Sequence, residues 1–196
     1  MTVRNNDFFV VTTDDDEISE IASSLGGDVV MRPAEIAGDK TPMVDTLLHA
    51  LRECEAREGK QYDYVILLQP TAPMRSSEDV DEALRQLEAS GADSVVSVYQ
   101  VEDAHPSRMY HITDGQLDPF YEEPKGSLRQ DLPKVYHRNG AVYACKRELL
   151  VEKKVLWGGV MIPYIMPAER SANIDSPLDL EWAEYLLSKR ENASCG

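Results

Sequence analysis

The chain has 196 residues and a formal net charge of −15 at neutral pH, with 20 Lys and Arg against 35 Asp and Glu. That length suits one domain with a sizeable core. The acidic balance argues against nucleic acid or an anionic membrane surface as a partner, since both require basic patches. An anionic ligand would therefore have to be met by locally placed Arg or Lys side chains, or by a metal ion.

The cysteines and histidines show no pattern typical of a metal or disulfide site. Cys54, Cys145 and Cys195 are widely spaced, no C-x-x-C pair occurs, and the four histidines lack metal-ligand spacing. The sequence contains no apolar run that could span a bilayer and no signal peptide. We therefore expect a reduced, cytoplasmic protein.

Apolar runs and helix-start signals alternate over the first hundred residues. Thr13 and Ser76 each have an Asp three residues later, a pattern that predicts a helix N-cap. Pro42 after Thr41 predicts a third helix start. The predicted strands cover residues 8–12, 29–31, 64–68 and 94–101, and the predicted helices end near residues 25, 57 and 90. This alternation predicts an α/β fold with a mostly parallel sheet flanked by helices.

The stretch VILLQPTAPMR, Val65–Arg75, is the most informative local feature. Its first four residues are apolar on both faces, which is typical of a central parallel strand. Gln69, Thr71 and Arg75 follow in a turn, so an amide, a hydroxyl and a guanidinium come after the carboxyl end of that strand. Ligands bind at this edge in open α/β sheets. A Pro-rich connecting loop without a ligand is the alternative.

The pattern changes between residues 102 and 134, where prolines, glycines and scattered aromatic residues interrupt the apolar periodicity. Asp114-Gly115 predicts the tip of a hairpin. We interpret this segment as an arm that leaves the domain, either as an active-site lid or as a dimerisation element. A long surface loop is the alternative, although loops of this length are uncommon in compact domains.

Strand and helix signals return after the arm. The predicted elements are strands at 135–146 and 160–166, a short helical turn at 147–152 and a last helix from Ser176 to about residue 190. Asp175 stands just before this helix, where a carboxylate can be stabilised by the helix dipole or can hold a hard cation such as Mg²⁺. A purely structural role is the commoner explanation for such an Asp.

Three arginines, Arg108, Arg129 and Arg138, lie in or beside the arm. A guanidinium matches carboxylate or phosphate in a bidentate way, so these residues are candidates for an anion clamp, with ordinary surface pairing as the alternative. The acids Asp14–Asp16 are explained by the dipole at a helix start. No Ser-His-Asp set, Cys nucleophile or Gly-rich nucleotide motif is indicated. The residues alone predict an α/β ligand-binding domain without naming its ligand.

Six segments together carry a specific resemblance to one family. They are VVTTDDDEI (Val10–Ile18), RPAEIAGD (Arg32–Asp39), LLQPTAPMR (Leu67–Arg75), SVVSV (Ser94–Val98), RQDLPKVYHRNGAVY (Arg129–Tyr143) and ANIDSPLDL (Ala172–Leu180). Through them the chain resembles the acylneuraminate cytidylyltransferases, also called CMP-sialic acid synthetases, over nearly its whole length. Related acids such as legionaminic or pseudaminic acid stay open as substrates, and a ketodeoxyoctonate cytidylyltransferase is a more distant alternative.

The resemblance implies a Rossmann-like nucleotide-diphospho-sugar transferase fold in one domain, residues 1–196, with the arm as an excursion. It implies a nucleotidyltransferase of carbohydrate biosynthesis that uses CTP. The anomeric hydroxyl of a nonulosonic sugar acid attacks the α-phosphorus, pyrophosphate leaves and a CMP-sugar forms, with Mg²⁺ neutralising the phosphates. It further implies a homodimer in which the arm reaches the partner's site, and no nucleic-acid or membrane partner.

By motif position, the resemblance also implies roles for eight residues. They are Thr12 near the nucleotide, Gln69 and Thr71 against the sugar acid, Asn139 and Tyr143 lining its pocket, Arg129 at the substrate carboxylate or phosphates, Arg108 near a basic position of the family, and Asp175 as the metal ligand. Asp175 and Arg129 are the two expected to act in catalysis.

The chain departs from the family pattern in two places. We expect it to lack the N-terminal unit of the family, which comprises a strand, a phosphate loop and a helix. In addition, Asn173 stands where the family has the first acid of a D-x-D metal site. The alternative function is therefore a catalytically inactive homologue that acts as a sugar-acid-binding or dimeric assembly module. Another sugar-nucleotide transferase on the same fold is a weaker alternative.

Overall fold

Strands and helices alternate along the chain in the computed structural model, which describes residues 8–121 and 128–194 without the side chains of residues 129 and 191–194. The strands are β1 (Val10–Thr13), β2 (Asp28–Met31), β3 (Tyr64–Leu67), β4 (Ser94–Gln100), β5 (Tyr110–Thr113), β6 (Gln116–Pro119), β7 (Tyr136–Lys146) and β8 (Met161–Ile165). The helices are α1 (Asp16–Ser24), α2 (Met43–Glu58), α3 (Ser77–Ser90), α4 (Arg147–Lys153) and α5 (Pro177–Ser194). The predicted α/β class is confirmed.

The strands form a parallel pair, a four-stranded sheet and a hairpin. β1 pairs with β2 in parallel, β3-β7-β4-β8 is the order of the four-stranded sheet, and β5 pairs with β6. β3 and β7 are antiparallel, with Leu67 opposite Tyr143. The amide of Met166 donates to the carbonyl of Val98, as expected for parallel β4 and β8. The four-stranded sheet is therefore mixed.

The position of β3 differs from the prediction. Its four residues are only half-buried, and β3 stands at the end of the strand order of its sheet, beside an antiparallel neighbour. A central parallel strand was the wrong interpretation of this apolar run. An apolar run shows that both faces avoid water, but it does not show how many strands flank it or in which direction they run.

The chain forms two compact units. The first comprises the described residues of 1–68, 76–96 and 142–162, and the second those of 69–75, 97–141 and 163–196. In the first unit, α2 buries Leu47, Leu48 and Leu51 at helical spacing and ends at Gly59 in the left-handed conformation. Leu87 of α3 is also fully buried.

Local capping explains where the helices begin. Ser76 and Asp79 form the predicted capping box of α3. The cap of α1 is Asp15 instead of the predicted Thr13, because the Asp15 carboxylate accepts from the amide of Ile18 at 2.9 Å. The Thr13 hydroxyl instead accepts from the amide of Asp15 at 3.1 Å. α2 begins at Met43 without a side-chain cap, so the predicted cap by Thr41 is also wrong.

The arm segment contains the β5–β6 hairpin in the second unit. All eight strand residues are exposed, and Asp114 and Gly115 form the tip with φ values of 51° and 79°. Positive φ at both central residues is the geometry of a type I′ turn, so the predicted hairpin tip is confirmed. The predicted arm also includes residues 122–127, which lie outside the described residues, and its role in dimerisation stays a prediction.

Candidate active site

The turn that follows β3 is fixed by Arg75. Its Nη1 donates to the carbonyls of Gln69 at 2.6 Å and Ala72 at 2.9 Å. Burial lowers the pKa of Arg75. Because Nη1 of the guanidinium binds the backbone of its own turn, Arg75 shapes the turn that carries Gln69 and Thr71.

Gln69 lies directly over Gly140, a residue of β7. Gly140 has a φ of +73°, and a Cβ added there would lie 2.5 Å from Oε1 of Gln69 and 3.5 Å from Oδ1 of Asn173. Glycine is therefore required twice, for its left-handed backbone and for the missing side chain. Three segments that are far apart in the sequence meet at this point of the second unit.

The loop before α5 is tied to the same turn. The amide of Ile174 donates to the carbonyl of Thr71 at 2.8 Å. The side-chain amide of Asn173 donates to Oδ2 of Asp175 at 2.6 Å. The amide of Asp175 in turn donates to the carboxylate of Asp179 at 3.1 Å, and hydrogen bonds from Ser176 and Asp175 lower the pKa of Asp179. Asp175 itself is exposed at the helix start.

Asn139, which precedes Gly140, is buried, with 2% of its surface exposed, and forms several hydrogen bonds. Its Oδ1 accepts from the hydroxyl of Ser97 at 2.6 Å and from the amide of Ala141 at 3.2 Å. Its Nδ2 donates to Oγ of Ser171 at 2.9 Å and to the sulfur of Met166 at 3.2 Å. Both ends of the side chain therefore bind protein groups, and the lining role expected of Asn139 stays a prediction.

Two further predicted residues, Thr12 and Tyr143, belong to the first unit. Oγ1 of Thr12 is buried and has no hydrogen-bond partner among the described residues. Tyr143 is buried in β7, and its ring centroid lies 5.3 Å from that of Trp157. Trp157 is 42% exposed and was not predicted. The signal that could have found it is the Trp-Gly-Gly turn.

Hydrogen bonds to Asp93 and Ser94 hold that turn in the first unit. The amide of Val160 donates to Oδ2 of Asp93 at 2.9 Å, and the hydroxyl of Ser94 donates to the carbonyl of Gly158 at 3.1 Å. The hydrogen bond from Val160, aided by Lys146, lowers the pKa of Asp93. These hydrogen bonds therefore fix the backbone next to Trp157.

The predicted anion clamp is only partly described. Arg108 is an exposed residue at the end of a 3-10 turn, and Arg138 is an exposed residue of β7. The backbone of Arg129 begins another 3-10 turn, but its side chain lies outside the described residues. His105 joins the two ends of the arm, since its Nε2 lies 3.1 Å from the carbonyl of Pro133. Anion binding by these arginines stays a prediction.

The acids at the start of α1 have local partners. Asp14 forms an ion pair with Arg32, which lowers the pKa of Asp14, and Asp15 is the helix cap. Sequence reasoning missed Arg32, although it opens the RPAEIAGD segment.

Among the described residues, no group of three His, Cys, Asp or Glu side chains could hold a metal ion. The described helices include none that is long and apolar enough to cross a membrane.

Mg²⁺ commonly binds one or two protein carboxylates together with substrate phosphates. Asp175 suits such a site as a single ligand, since it is exposed and the side chain of Asn173 donates to its Oδ2. The residues present therefore fit a cation that is shared with a bound triphosphate.

Comparison with known sequences gives a family and several relatives. A cytidylyltransferase family model matches residues 3–152. The chain is 28% identical over 184 residues to a post-translational flagellin modification protein B of Campylobacter coli, covering 92% of the chain and 77% of that protein. It is 30% identical over 183 residues to an N-acylneuraminate cytidylyltransferase of Escherichia coli O18:K1:H7, covering 92% of the chain and 42% of that protein.

A second N-acylneuraminate cytidylyltransferase, from Streptococcus agalactiae serotype V, is 31% identical over 189 residues, which cover 93% of the chain and 44% of that protein. The chain thus spans less than half the length of these two cytidylyltransferases.

Comparison with solved structures gives the fold. A CMP:2-keto-3-deoxy-manno-octonic acid synthetase complexed with CTP has a TM-score of 0.65 at 18% identity, covering 96% of this chain and 83% of that one. A 4-diphosphocytidyl-2C-methyl-D-erythritol synthase has a TM-score of 0.58 at 14% identity, covering 92% and 81%. The family match over most of the sequence is decisive: the chain belongs to the cytidylyltransferase family, a family of nucleotidyltransferases.

Proposed function

We propose that this chain transfers CMP from CTP to a nonulosonic acid of the sialic type. The anomeric oxygen of the sugar acid bonds to the α-phosphorus, the bond from that phosphorus to the bridging oxygen breaks, and pyrophosphate leaves. The hydroxyl proton passes to solvent. Named relatives that are N-acylneuraminate cytidylyltransferases support the choice of acid.

One observation carries this proposal. Gln69, Gly140 and Asn173 come from three of the motif segments and meet within one unit, where Gly140 makes room for the Gln69 side chain. A carboxamide held over a glycine at the end of a strand is suited to bind the hydroxyls of a sugar. Thr71 is held beside it, because its carbonyl accepts from the amide of Ile174.

The remaining roles follow from charge. Asp175 would hold a divalent cation that supplies positive charge to the phosphates of CTP. Arg129 and Arg108 would meet the sugar-acid carboxylate or the phosphates, since guanidinium groups bind both anions. Thr12 would lie near the nucleotide, and Asn139 and Tyr143 near the sugar acid. Catalysis would rest on positioning and charge stabilisation.

The working form would be a homodimer joined through the arm. Ile112 and Leu117 stand opposite each other in the hairpin and are 78% and 65% exposed. Apolar side chains at this exposure are typical of surfaces that bind a partner. We place the reaction in the cytoplasm, which agrees with Cys54 and Cys145 being buried and unpaired.

The proposal is tested by pyrophosphate release from CTP with Mg²⁺ and a panel of nonulosonic acids, using the 196-residue chain. Release is expected with CTP and one class of nine-carbon acid, and not with UTP. Release from CTP with an eight-carbon acid alone would contradict the choice of substrate. If a folded chain binds a sugar acid and CTP without releasing pyrophosphate, the result would favour the alternative, an inactive sugar-acid-binding module.

A further inference from the structure

Asn173 has one satisfied and one unsatisfied end. Its Nδ2 donates to Oδ2 of Asp175 at 2.6 Å. Its Oδ1 is buried and has no hydrogen-bond partner in the part of the chain that the structure describes. A buried acceptor without a donor is unfavourable, because water no longer compensates it. Some group must therefore supply a donor in the working site.

Asp175 determines which way the Asn173 amide faces. An ionised carboxylate only accepts hydrogen bonds, so the NH₂ end of Asn173 turns to Asp175 and the oxygen turns away. The reverse orientation would place two oxygens against each other. In this arrangement the pair does not offer two oxygens to one cation, because the NH₂ group lies between them. Asn173 therefore does not reproduce the acid of a two-carboxylate metal site, and Asp175 is the carboxylate of this pair that would hold a cation.

The side-chain oxygens of Asn173 and Gln69 both lie near Gly140. Oδ1 of Asn173 and Oε1 of Gln69 lie 3.5 and 2.5 Å from the same point, where a Cβ of residue 140 would be. Both side-chain oxygens therefore lie on the Cβ side of Gly140. Half a turn about the last side-chain torsion of Gln69 swaps the positions of its amide oxygen and NH₂ group, which are similar in size. Both orientations are accessible, because this torsion is broad and roughly two-fold.

We propose that Asn173 is a positioning residue in an amide relay that links Asp175 to Gln69. Asp175 orients Asn173, Oδ1 of Asn173 accepts from the side-chain N–H of Gln69, and Gln69 then presents its own oxygen to the ligand. The ligand group that Gln69 recognises is therefore a donor, a hydroxyl or amide N–H of the sugar acid. The identity of the ligand rests on the proposed function, whereas the relay itself does not.

The relay is tested first by binding. The dissociation constant of N-acetylneuraminic acid is measured by calorimetry with an α,β-methylene analogue of CTP and Mg²⁺ present. Gln69→Met and Asn173→Leu should each weaken binding by roughly 3- to 10-fold, because each variant loses one net hydrogen bond. The double variant should bind about as weakly as Gln69→Met alone, since Asn173 acts only through Gln69.

Additive losses in the double variant, or unchanged binding by Asn173→Leu, would overturn the relay.

The second measurement needs no sugar acid and no variant. Nuclear magnetic resonance of the ¹⁵N-labelled chain should show a Gln69 side-chain amide whose protons exchange slowly with water. Fast exchange, as for a free amide, would overturn the relay even if Asn173→Leu fails to fold. If the unchanged chain binds no sugar acid, the proposed substrate is contradicted, and this spectrum still decides the relay.

Discussion

Gly140 determines the shape of the site at the scale of single residues. Its left-handed backbone and its missing side chain both make room for Gln69. Asn139, the preceding residue, anchors this position through its hydrogen bonds to Ser97 and Ser171. The site is thus built on a strand position that side-chain hydrogen bonds hold in place, which is how a binding group is best supported.

Gly140→Ala is therefore expected to impair both stability and binding. The left-handed conformation costs an alanine about 1–2 kcal/mol, and the new methyl group collides with Gln69. Chemical denaturation and the dissociation constant for N-acetylneuraminic acid measure the two effects.

The control is Gly91→Ala, because Gly91 has a similar φ of +68° but open space at its Cβ position. It should lose stability by about 1–2 kcal/mol through the same backbone strain and keep sugar-acid affinity. Equal binding losses in both variants would contradict a specific role for Gly140.

The members of the candidate site, which stay predictions, came from local signals in the sequence, whereas their contacts did not. Gln69, Thr71 and Asp175 were predicted from the end of an apolar run and from a helix start, which are local signals. The contact of Gln69 with Gly140 joins segments distant in the chain, and no local pattern reports such packing. The same holds for Arg75, which was expected at the ligand edge but binds backbone carbonyls.

At the scale of elements, an ion pair joins α2 to α4 in the first unit. Nε and Nη2 of Arg147 donate to the two oxygens of Glu55 at 2.7 and 3.0 Å, and the Glu55 side chain is 14% exposed. The hydrogen bonds from Arg147, with a smaller one from the amide of Tyr62, lower the pKa of Glu55 below its usual 4.5.

Glu55→Gln should lower the free energy of unfolding by about 1–3 kcal/mol at pH 7, as expected for a hydrogen-bonded charge. Because the pKa is lowered in the folded state, this contribution is complete above pH 4.5, the usual glutamate value, and is lost as the pH falls through the lowered value. Urea denaturation at several pH values measures the difference between the two proteins.

Glu82→Gln on α3 is the matched control. Hydrogen bonds from Arg85 and Gln86 lower the pKa of Glu82 to about 2, but the pair with Arg85 is exposed, so solvent screens it. A change in stability at Glu82 as large as that at Glu55 would contradict the argument from burial.

Elements with local signals were predicted well, and those fixed by tertiary pairing were not. The capping box of α3 and the hairpin tip at Asp114-Gly115 depend on a few neighbouring residues. The place of β3 in the sheet depends on its pairing with β7, which lies far away in the sequence. Register and direction of that kind are set by tertiary packing.

At the scale of the whole molecule, the exposed hairpin should determine the oligomeric state. Ile112→Lys with Leu117→Lys places two charges on one face of the hairpin and should convert a dimer into a monomer of 22.0 kDa. Light scattering measures the mass, and circular dichroism should show that the variant keeps its fold, because these side chains are exposed within one chain.

Thr113→Lys with Gln116→Lys adds the same charges to the opposite face of the hairpin and should leave the dimer intact. A dimer that persists in the Ile112 and Leu117 variant would refute assembly through this face of the arm.

In the proposed reaction, this chain joins CMP to the anomeric oxygen of a sialic-type acid. The most direct test supplies CTP, Mg²⁺ and N-acetylneuraminic acid that carries ¹⁸O at its anomeric hydroxyl, and analyses the products by mass spectrometry. Attack by the anomeric oxygen on the α-phosphorus should give a CMP-sugar that retains the label, together with unlabelled pyrophosphate. A labelled pyrophosphate, or a folded chain that yields no CMP-sugar from any acid of this class, would contradict it.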